Sequence, residues 1–180
     1  MILEVSKLQI RELKLKNFRC FEELTINFST PYTVLIGING SGKSSILDAL
    51  RMILDTFVNA TGNDLRKNYL YVTKVKLQDS DAKIKTVIAG STINKESQYP
   101  VVVNATVQID DTKDISWTHE LFSHSSMRSI DIKEIIDYAR KLQNQIIIGK
   151  GGMCPVIAYY GTKRQWDKLS EAEPNKISFL

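Results

Sequence analysis

Cysteine, long apolar runs, an excess of charge of one sign and internal repeats are all scarce or missing in this sequence, and each absence narrows what the chain can be. Cys20 and Cys154 are the only two cysteines among 180 residues. They stand in unrelated contexts without CxxC spacing, so a reduced, cytoplasmic protein is expected rather than a disulfide framework. No stretch approaches the roughly eighteen apolar residues that a membrane helix needs, and no membrane span is expected. The 24 basic and 20 acidic residues leave a formal net charge of +4, which permits contact with nucleic acid without forming a basic tail. No repeat and no coiled-coil heptads are visible. His119 and His124 lie five apart in a Ser-rich stretch without a partnering cysteine, so surface positions are expected for both rather than a zinc site. With 43% apolar and 24% charged residues, one domain can bury a sizeable core under an ordinary solvated surface.

Against this plain background stands Gly37-Ile38-Asn39-Gly40-Ser41-Gly42-Lys43-Ser44, which fits GxxxxGKS. The apolar run Tyr32 to Ile36 before it reads as a short buried strand. Ile46, Leu47, Leu50, Ile53, Leu54 and Phe57 after it recur at helical spacing. Each part of the motif has a chemical reason. Glycines at 37, 40 and 42 let the backbone adopt conformations a Cβ forbids, so that successive N–H groups converge on a phosphate. The helix that follows adds the positive end of its dipole. Lys43 supplies a movable cation for the β and γ oxygens, and Ser44 a hydroxyl for the Mg²⁺ that bridges them. The expected ligands are ATP and Mg²⁺. Nucleotide-binding positions are Gly37, Asn39, Gly40, Ser41, Gly42, Lys43, Ser44 and Ser45.

Upstream, Leu8, Ile10, Leu13 and Leu15 alternate irregularly with charge, and Leu24, Ile26 and Phe28 alternate strictly, which predicts two antiparallel strands. The connecting Leu15-Lys16-Asn17-Phe18-Arg19-Cys20-Phe21, taken with Gly37 to Leu50, resembles the SMC and RecF branch of ABC-type ATPases over about fifty residues. Within that branch the nearer match looks like the OLD family and the PtuA subunit of Septu and certain retron anti-phage systems. Pro155-Val156-Ile157-Ala158-Tyr159-Tyr160-Gly161-Thr162-Lys163-Arg164 is similar to a PtuA segment that follows an inserted region.

The resemblance implies an α/β P-loop NTPase of the ABC-ATPase head type, with a mixed sheet and an antiparallel β layer packed by the P-loop helix. It also implies that residues 1–180 form the N-terminal part of one head, with a family-specific β/α insertion over 58–150. Asn17 and Arg19 would lie beside the nucleotide, Arg19 stacking on the base or pairing with phosphate, the alternative for Arg19 being a solvated turn residue. Phe18 and Phe21 are expected in the core. Arg164 matches the PtuA-like segment, and Gln165 is a candidate Mg²⁺-sensing glutamine. An Asp-Glu strand end and an LSGGQ-like signature, which a complete head needs, are not recognisable. Leu169-Ser170-Glu171-Ala172-Glu173 lacks the signature's glycines and reads as a linker. The chain therefore reads as part of a longer ATPase that binds nucleotide but hydrolyses poorly alone.

Between these landmarks Asn59 to Asp64 is expected to break the P-loop helix, and strands are expected over Tyr69 to Leu77 and Ile84 to Ile88. Asp110-Asp111 reads as the turn of a hairpin from Val101–Ile109 into Ile115 through Glu120 rather than a metal-binding strand end. Asp131 to Gln145 carries Ile132, Ile135, Ile136, Ala139 and Leu142 at helical spacing. Gly149-Lys150-Gly151-Gly152 reads as a turn. The functional expectation is a PtuA-like defence ATPase, a homodimer or higher homo-oligomer through ATP-bound heads, controlling an HNH-type nuclease subunit. The alternatives are a RecF/SMC-like ATPase that clamps DNA, a small P-loop kinase, and a nucleotide-binding module that never hydrolyses ATP.

Overall fold

The computed structural model describes residues 7–62, 76–89, 92–110, 113–124, 126–150 and 153–160. Its core is an antiparallel sheet in the order β2-β1-β5-β6-β7. The strands are β1 (Leu8–Phe18), β2 (Phe21–Asn27), β5 (Val101–Ile109), β6 (Lys113–Ser123) and β7 (Ser126–Ile130). A separate two-stranded ribbon joins β3 (Ile84–Ala89) to β4 (Thr92–Ser97). Two helices, α1 (Lys43–Gly62) and α2 (Lys133–Ile147), and a short 3-10 turn at Asp79–Asp81 complete the described elements.

One face of the large sheet is apolar because its strands alternate. Val101, Val103, Ala105, Val107 and Ile109 of β5 are buried, while the intervening Asn104, Thr106 and Gln108 are only half-buried. Leu13 and Leu15 of β1 and Ile115, Trp117 and Leu121 of β6 continue the same face. Against it lies α1, whose Ile46, Ala49, Ile53, Phe57 and Ala60 are buried at helical spacing. Beside it α2 contributes Ile135, Ile136, Ala139 and Leu142. Full burial of each larger side chain is worth about 1.5–3 kcal/mol. The packing therefore fixes where α1 begins, and with it the loop that precedes it.

The hairpin expected from Val101 is present, with Ile109 opposite Lys113 and Asp110 at φ 49 in the turn. Asp111 lies outside the described residues. The two N-terminal strands pair as expected, Leu15 opposite Leu24 and Phe18 opposite Phe21. Helix α2 runs two residues beyond the expected Gln145, to Ile147, and is followed by Gly149, whose φ of 67 suits the left-handed position after a helix.

Two expectations fail, the strand over 32–36 and the surface position of His119. Tyr32 to Ile36 forms no ladder; Tyr32, Val34 and Ile36 are 88%, 79% and 91% exposed, and only Leu35 leans on the core. An apolar run is buried on both faces only when strands flank it on both sides, and no described residue pairs with this one. Helix α1 continues through Asn59 and ends at Gly62, within the segment expected to break it. The Asn59 amide donates to the Asp55 carbonyl and the Thr61 hydroxyl to that of Val58, so both polar side chains bond back to the helix. His119 is not a surface residue: it faces the core from β6 and is fully buried. Its two ring nitrogens lie 3.0 Å from Thr56 Oγ1 and 2.8 Å from Ser129 Oγ, which satisfies the imidazole without solvent. His124 is exposed, as expected. The strand expected over Tyr69 to Leu77 lies, up to residue 75, outside the described residues, as do Leu169 to Glu173.

Candidate functional site

The loop from Gly37 to Ser44 joins the exposed 32–36 segment to the first turn of α1. Gly40 and Gly42 have φ of 82 and 90, which L side chains rarely adopt. At Gly40 there is open space, so backbone conformation alone calls for glycine. At Gly42 a Cβ would also lie 2.6 Å from Cys20 Sγ and 2.9 Å from a Phe21 ring carbon. The β1–β2 turn thus presses directly on the loop.

Lys43 extends back over that loop. Its ammonium donates to the carbonyls of Gly37 at 2.8 Å and Ile38 at 2.7 Å, and to Ser41 Oγ at 3.2 Å. Ser44 is exposed and Ser45 half-buried at the start of α1, and Asn39 is exposed at the crown of the loop. No acidic residue occupies the first turn of α1, so its amide dipoles face the loop without an opposing carboxylate. A flexible ammonium, two left-handed glycines and a helix N-terminus form a donor set suited to a polyphosphate. Ser44 fits a Mg²⁺ ligand by its hydroxyl and exposure. Among the described residues no group of three or more His, Cys, Asp or Glu side chains could hold a metal by itself.

The β1–β2 turn is held in an unusual conformation. Asn17 and Arg19 have φ of 49 and 52, a region that non-glycine residues seldom enter. The backbone is secured by Arg19 N–H donating to the Asp81 carbonyl at 2.7 Å and by Lys83 N–H donating to the Asn17 carbonyl at 2.8 Å. The Asn17 amide donates to the Pro100 carbonyl. Arg19 is not a solvated turn residue. Its Nε donates to Asp81 at 2.9 Å, its Nη1 to Asp48 at 2.6 Å, and its guanidinium lies over the Phe18 ring. Phe18 is fully buried and Phe21 packs against the core.

Asp48 sits one turn beyond Ser44 on α1 and carries a second partner, the Tyr159 hydroxyl at 2.6 Å. Burial by itself would raise its pKa, but the hydrogen bonds from Tyr159 and Arg19 outweigh it and hold the carboxyl below its ordinary value. Burial would likewise lower the Arg19 pKa, and hydrogen bonds to Asp48 and Asp81 overcome it and raise it. The Tyr159 phenol is pushed up, first by its bond to Asp48. Arg51, one turn along, lies over the Tyr159 ring. These two, with Leu47, Leu50 and Ile157, line an apolar groove of about 240 Å³ along the outer side of α1.

The structure thus gathers Gly37, Asn39, Gly40, Ser41, Gly42, Lys43, Ser44 and Ser45 into one loop and helix start, with the Arg19 turn packed behind it. The Asn17 side chain turns away toward Pro100. Arg164 and Gln165 lie outside the described residues. Asp48, Asp81 and Tyr159 were not singled out from the sequence, since Asp48 passes there as a helix residue and Asp81 as part of a polar turn.

Several known proteins are similar in sequence to this chain. The DNA double-strand break repair Rad50 ATPase of Sulfolobus acidocaldarius is 33% identical over 146 residues, covering 80% of this chain and 16% of that protein. Structural maintenance of chromosomes protein 6 of Saccharomyces cerevisiae is 26% identical over 134 residues, covering 72% and 12% respectively. The chromosome partition protein Smc of Halothermothrix orenii is 50% identical over 46 residues, covering 25% and 4%. The chain therefore spans less than a fifth of each of these relatives' length. A solved structure concerned with ATP-driven dimerization and DNA-stimulated activation of SMC ATPases is 22% identical, with a TM-score of 0.45, over 74% of this chain and 80% of that one. No helix among the described residues is long and apolar enough to cross a membrane. The AAA domain family matches residues 12–179; the chain belongs to that family, and its fold is the N-terminal part of a P-loop ATPase head of the SMC/RecF, ABC-type kind.

Proposed function

We propose that this chain is the ATP-binding part of a DNA-directed ATPase of the Rad50/SMC kind, with nucleotide held by Gly37 to Ser45 and Mg²⁺ by Ser44. The observation that carries the reading is the placement of Lys43. Its ammonium spans the loop on three hydrogen bonds, beside glycines at φ 82 and 90 and a helix start free of acidic residues. ATP supplies the phosphoanhydride charge that these groups are shaped to receive. Lys43 offsets that charge, the α1 amides orient it, and the Ser44 hydroxyl anchors the metal side. Because no recognisable signature loop or metal-binding strand end occurs in the sequence, binding is proposed to drive assembly of heads into a homodimer or higher homo-oligomer, and hydrolysis to draw on residues beyond these motifs. Residues 58–150, which carry β3 to β7 and α2, are proposed as the family-specific elaboration. Gln165 remains the proposed Mg²⁺ sensor.

The 33% identity to a Rad50 over most of the chain favours DNA as the macromolecular partner. A second reading, a PtuA-like defence ATPase controlling an HNH-type nuclease, draws on the Pro155 to Arg164 resemblance, whose Tyr159 bonds to the P-loop helix through Asp48. Equilibrium binding of a fluorescent ATP analogue with Mg²⁺ tests the shared core of both. Losing the Lys43 cation by Lys43→Ala should weaken binding tenfold to about a hundredfold, since charge-assisted hydrogen bonds are worth about 1.5–3 kcal/mol. Unchanged affinity would overturn the site. ATP turnover by the natural polypeptide, with and without linear duplex DNA, separates the readings: stimulation supports the first, and dependence on a co-purifying nuclease the second.

A further inference from the structure

The ribbon of β3 and β4 stands apart from the large sheet. Each of its strands has only the other as a neighbour among the described residues. Apart from the half-buried Val87, its described side chains are exposed. A two-stranded ribbon is marginal by itself in water and gains by adding strands. The pairing shows which residues face the free edge. Gln98 N–H donates to the Lys83 carbonyl at 2.8 Å, which makes Lys83 and Gln98 a hydrogen-bonded pair. Bonded and non-bonded pairs alternate along an antiparallel ladder. From there the register sets Ile84 opposite Ser97, Lys85 opposite Glu96, Thr86 opposite Lys95, Val87 opposite Asn94 and Ile88 opposite Ile93. Lys85 and Val87 therefore turn their backbone groups toward β4, and Ile84, Thr86 and Ile88 turn theirs outward.

The same three residues share one face, because side chains alternate along a strand. Ile84 and Ile88 are 60% and 71% exposed, and Ile93, opposite Ile88 on that face, is 68% exposed. Unpaired edges are ordinarily blunted with charge or proline. Strand β3 has no proline, and its one charge, Lys85, lies on the other face. It is also complementary to itself. Set antiparallel to a second β3 with a two-fold axis at Thr86, Ile84 meets the second copy's Ile88, Thr86 meets Thr86, and the outward amides and carbonyls of all three residues bond reciprocally. The two Lys85 side chains then lie diagonally apart, each opposite a Val87. Strand β4 offers no equivalent. Its outward residues are Ile93, Lys95 and Ser97, and an axis at the middle one sets two lysines directly opposite, which is destabilising.

We propose that two copies of this chain pair through the outer edges of β3, antiparallel about Thr86, into a four-stranded sheet of order β4-β3-β3-β4. One face of that sheet gathers Ile84, Ile88 and Ile93 from each copy, and the isologous contact closes as a dimer. No group of the phosphate loop takes part, so the contact goes beyond the ATP-binding reading and does not depend on it. A six-residue edge is only about 20 Å long and covers far less than the ~800 Å² per partner of a standard interface. The dimer is therefore weak by itself and adds to any other contact that brings two copies together.

Sedimentation equilibrium of the purified chain without nucleotide tests the pairing. Wild type should show a concentration-dependent monomer–dimer equilibrium, unchanged in Lys43→Ala. Thr86→Pro removes an outward N–H while leaving the β3–β4 ladder its bonds, and Thr86→Lys sets like charges directly opposite; each should weaken dimerisation about tenfold or more. An equal mixture of Thr86→Lys and Thr86→Glu should restore it, since opposite charges then meet at the axis, a rescue that an unfolded ribbon could not give. In a Cys20→Ser/Cys154→Ser background, Thr86→Cys should form an interchain disulfide on mild oxidation, its Cα lying about 5.5 Å from its mate in a bonded pair. Lys85→Cys, whose mate lies diagonally across the axis, should form one far more slowly. Wild type that stays monomeric at high concentration, a dimer indifferent to both Thr86→Pro and Thr86→Lys, or a mixture no tighter than either charged variant alone would each overturn the proposal. Assembly that appears only when ATP or duplex DNA is added would overturn it as well.

Discussion

Gly40 and Gly42 offer a paired perturbation that separates backbone conformation from crowding within one loop. Both have φ near the left-handed region, 82 and 90, but a Cβ at Gly40 meets nothing within 4 Å, whereas one at Gly42 meets Cys20 Sγ at 2.6 Å and the Phe21 ring. Alanine at Gly40 should therefore cost only the conformational term, about 1–2 kcal/mol. Alanine at Gly42 carries that term and an overpacking term of about 1–3 kcal/mol, for a total of about 2–5 kcal/mol. Urea unfolding followed by far-UV circular dichroism measures both, because α1 begins at this loop. Restoring space tests the cause. In a Cys20→Ala/Phe21→Leu background, which removes the crowding atoms, the cost of Gly42→Ala should shrink to that of Gly40→Ala. Equal costs for the two glycines in the wild-type background, or no relief in the altered one, would refute the claim that the β1–β2 turn presses on the loop.

Other outcomes follow from the same packing. The His119 imidazole is held down to about 4 from an ordinary 6.5, burial outweighing the opposing influence of Asp55 and a Met52 backbone contact. Its stabilisation is therefore complete above about pH 6.5 and is lost as pH falls toward 4, by up to about 3 kcal/mol. Urea midpoints from pH 7 to 4.5 should fall more steeply for wild type than for His119→Gln, and matching slopes would refute the assignment. Ile53→Ala, at a fully buried position on α1, should cost about 2–5 kcal/mol in the same unfolding assay. Gly149→Ala, at φ 67 in open space, should cost about 1 kcal/mol, read from the same midpoints.

The strands and helices that bury one face were legible because their apolar residues recur with the period of the element. Val101 to Ile109 alternates with period two, and Ile135, Ile136, Ala139 and Leu142 with the helical period, and the structure uses both patterns as read. Tyr32 to Ile36 misled for the opposite reason. Four of its five residues are apolar, so it carries no clear period, and its burial depends on neighbours that local sequence does not specify. His119 misled because a histidine side chain suits either solvent or a buried pair of hydroxyls. Only the strand register, which sets it opposite Ser129 and beneath Thr56 of α1, decides between them. The phosphate loop could be read outright because its glycines, lysine and serine are contiguous. Its support could not, since Arg19, Asp48, Asp81 and Tyr159 are separated by 29 to 111 residues and no spacing rule links them.

These two sets of contacts bear on one requirement, the exact setting of α1. A helix seated only by apolar side chains can slide or rotate at modest cost, because cores tolerate substitution of one hydrophobic contact for another. Polar anchors do not allow this. Rotating α1 by one residue, about 100°, would take Thr56 from His119 and leave buried hydrogen-bonding groups unmet, at about 1–3 kcal/mol each. Asp48 lies eight residues earlier, about 80° around the helix axis, and is held by Arg19 and Tyr159 on a different side. Two polar anchors on different faces constrain rotation and translation together. The amides and hydroxyl at the start of α1, where a phosphate and its metal would be met, therefore take their position from both anchors.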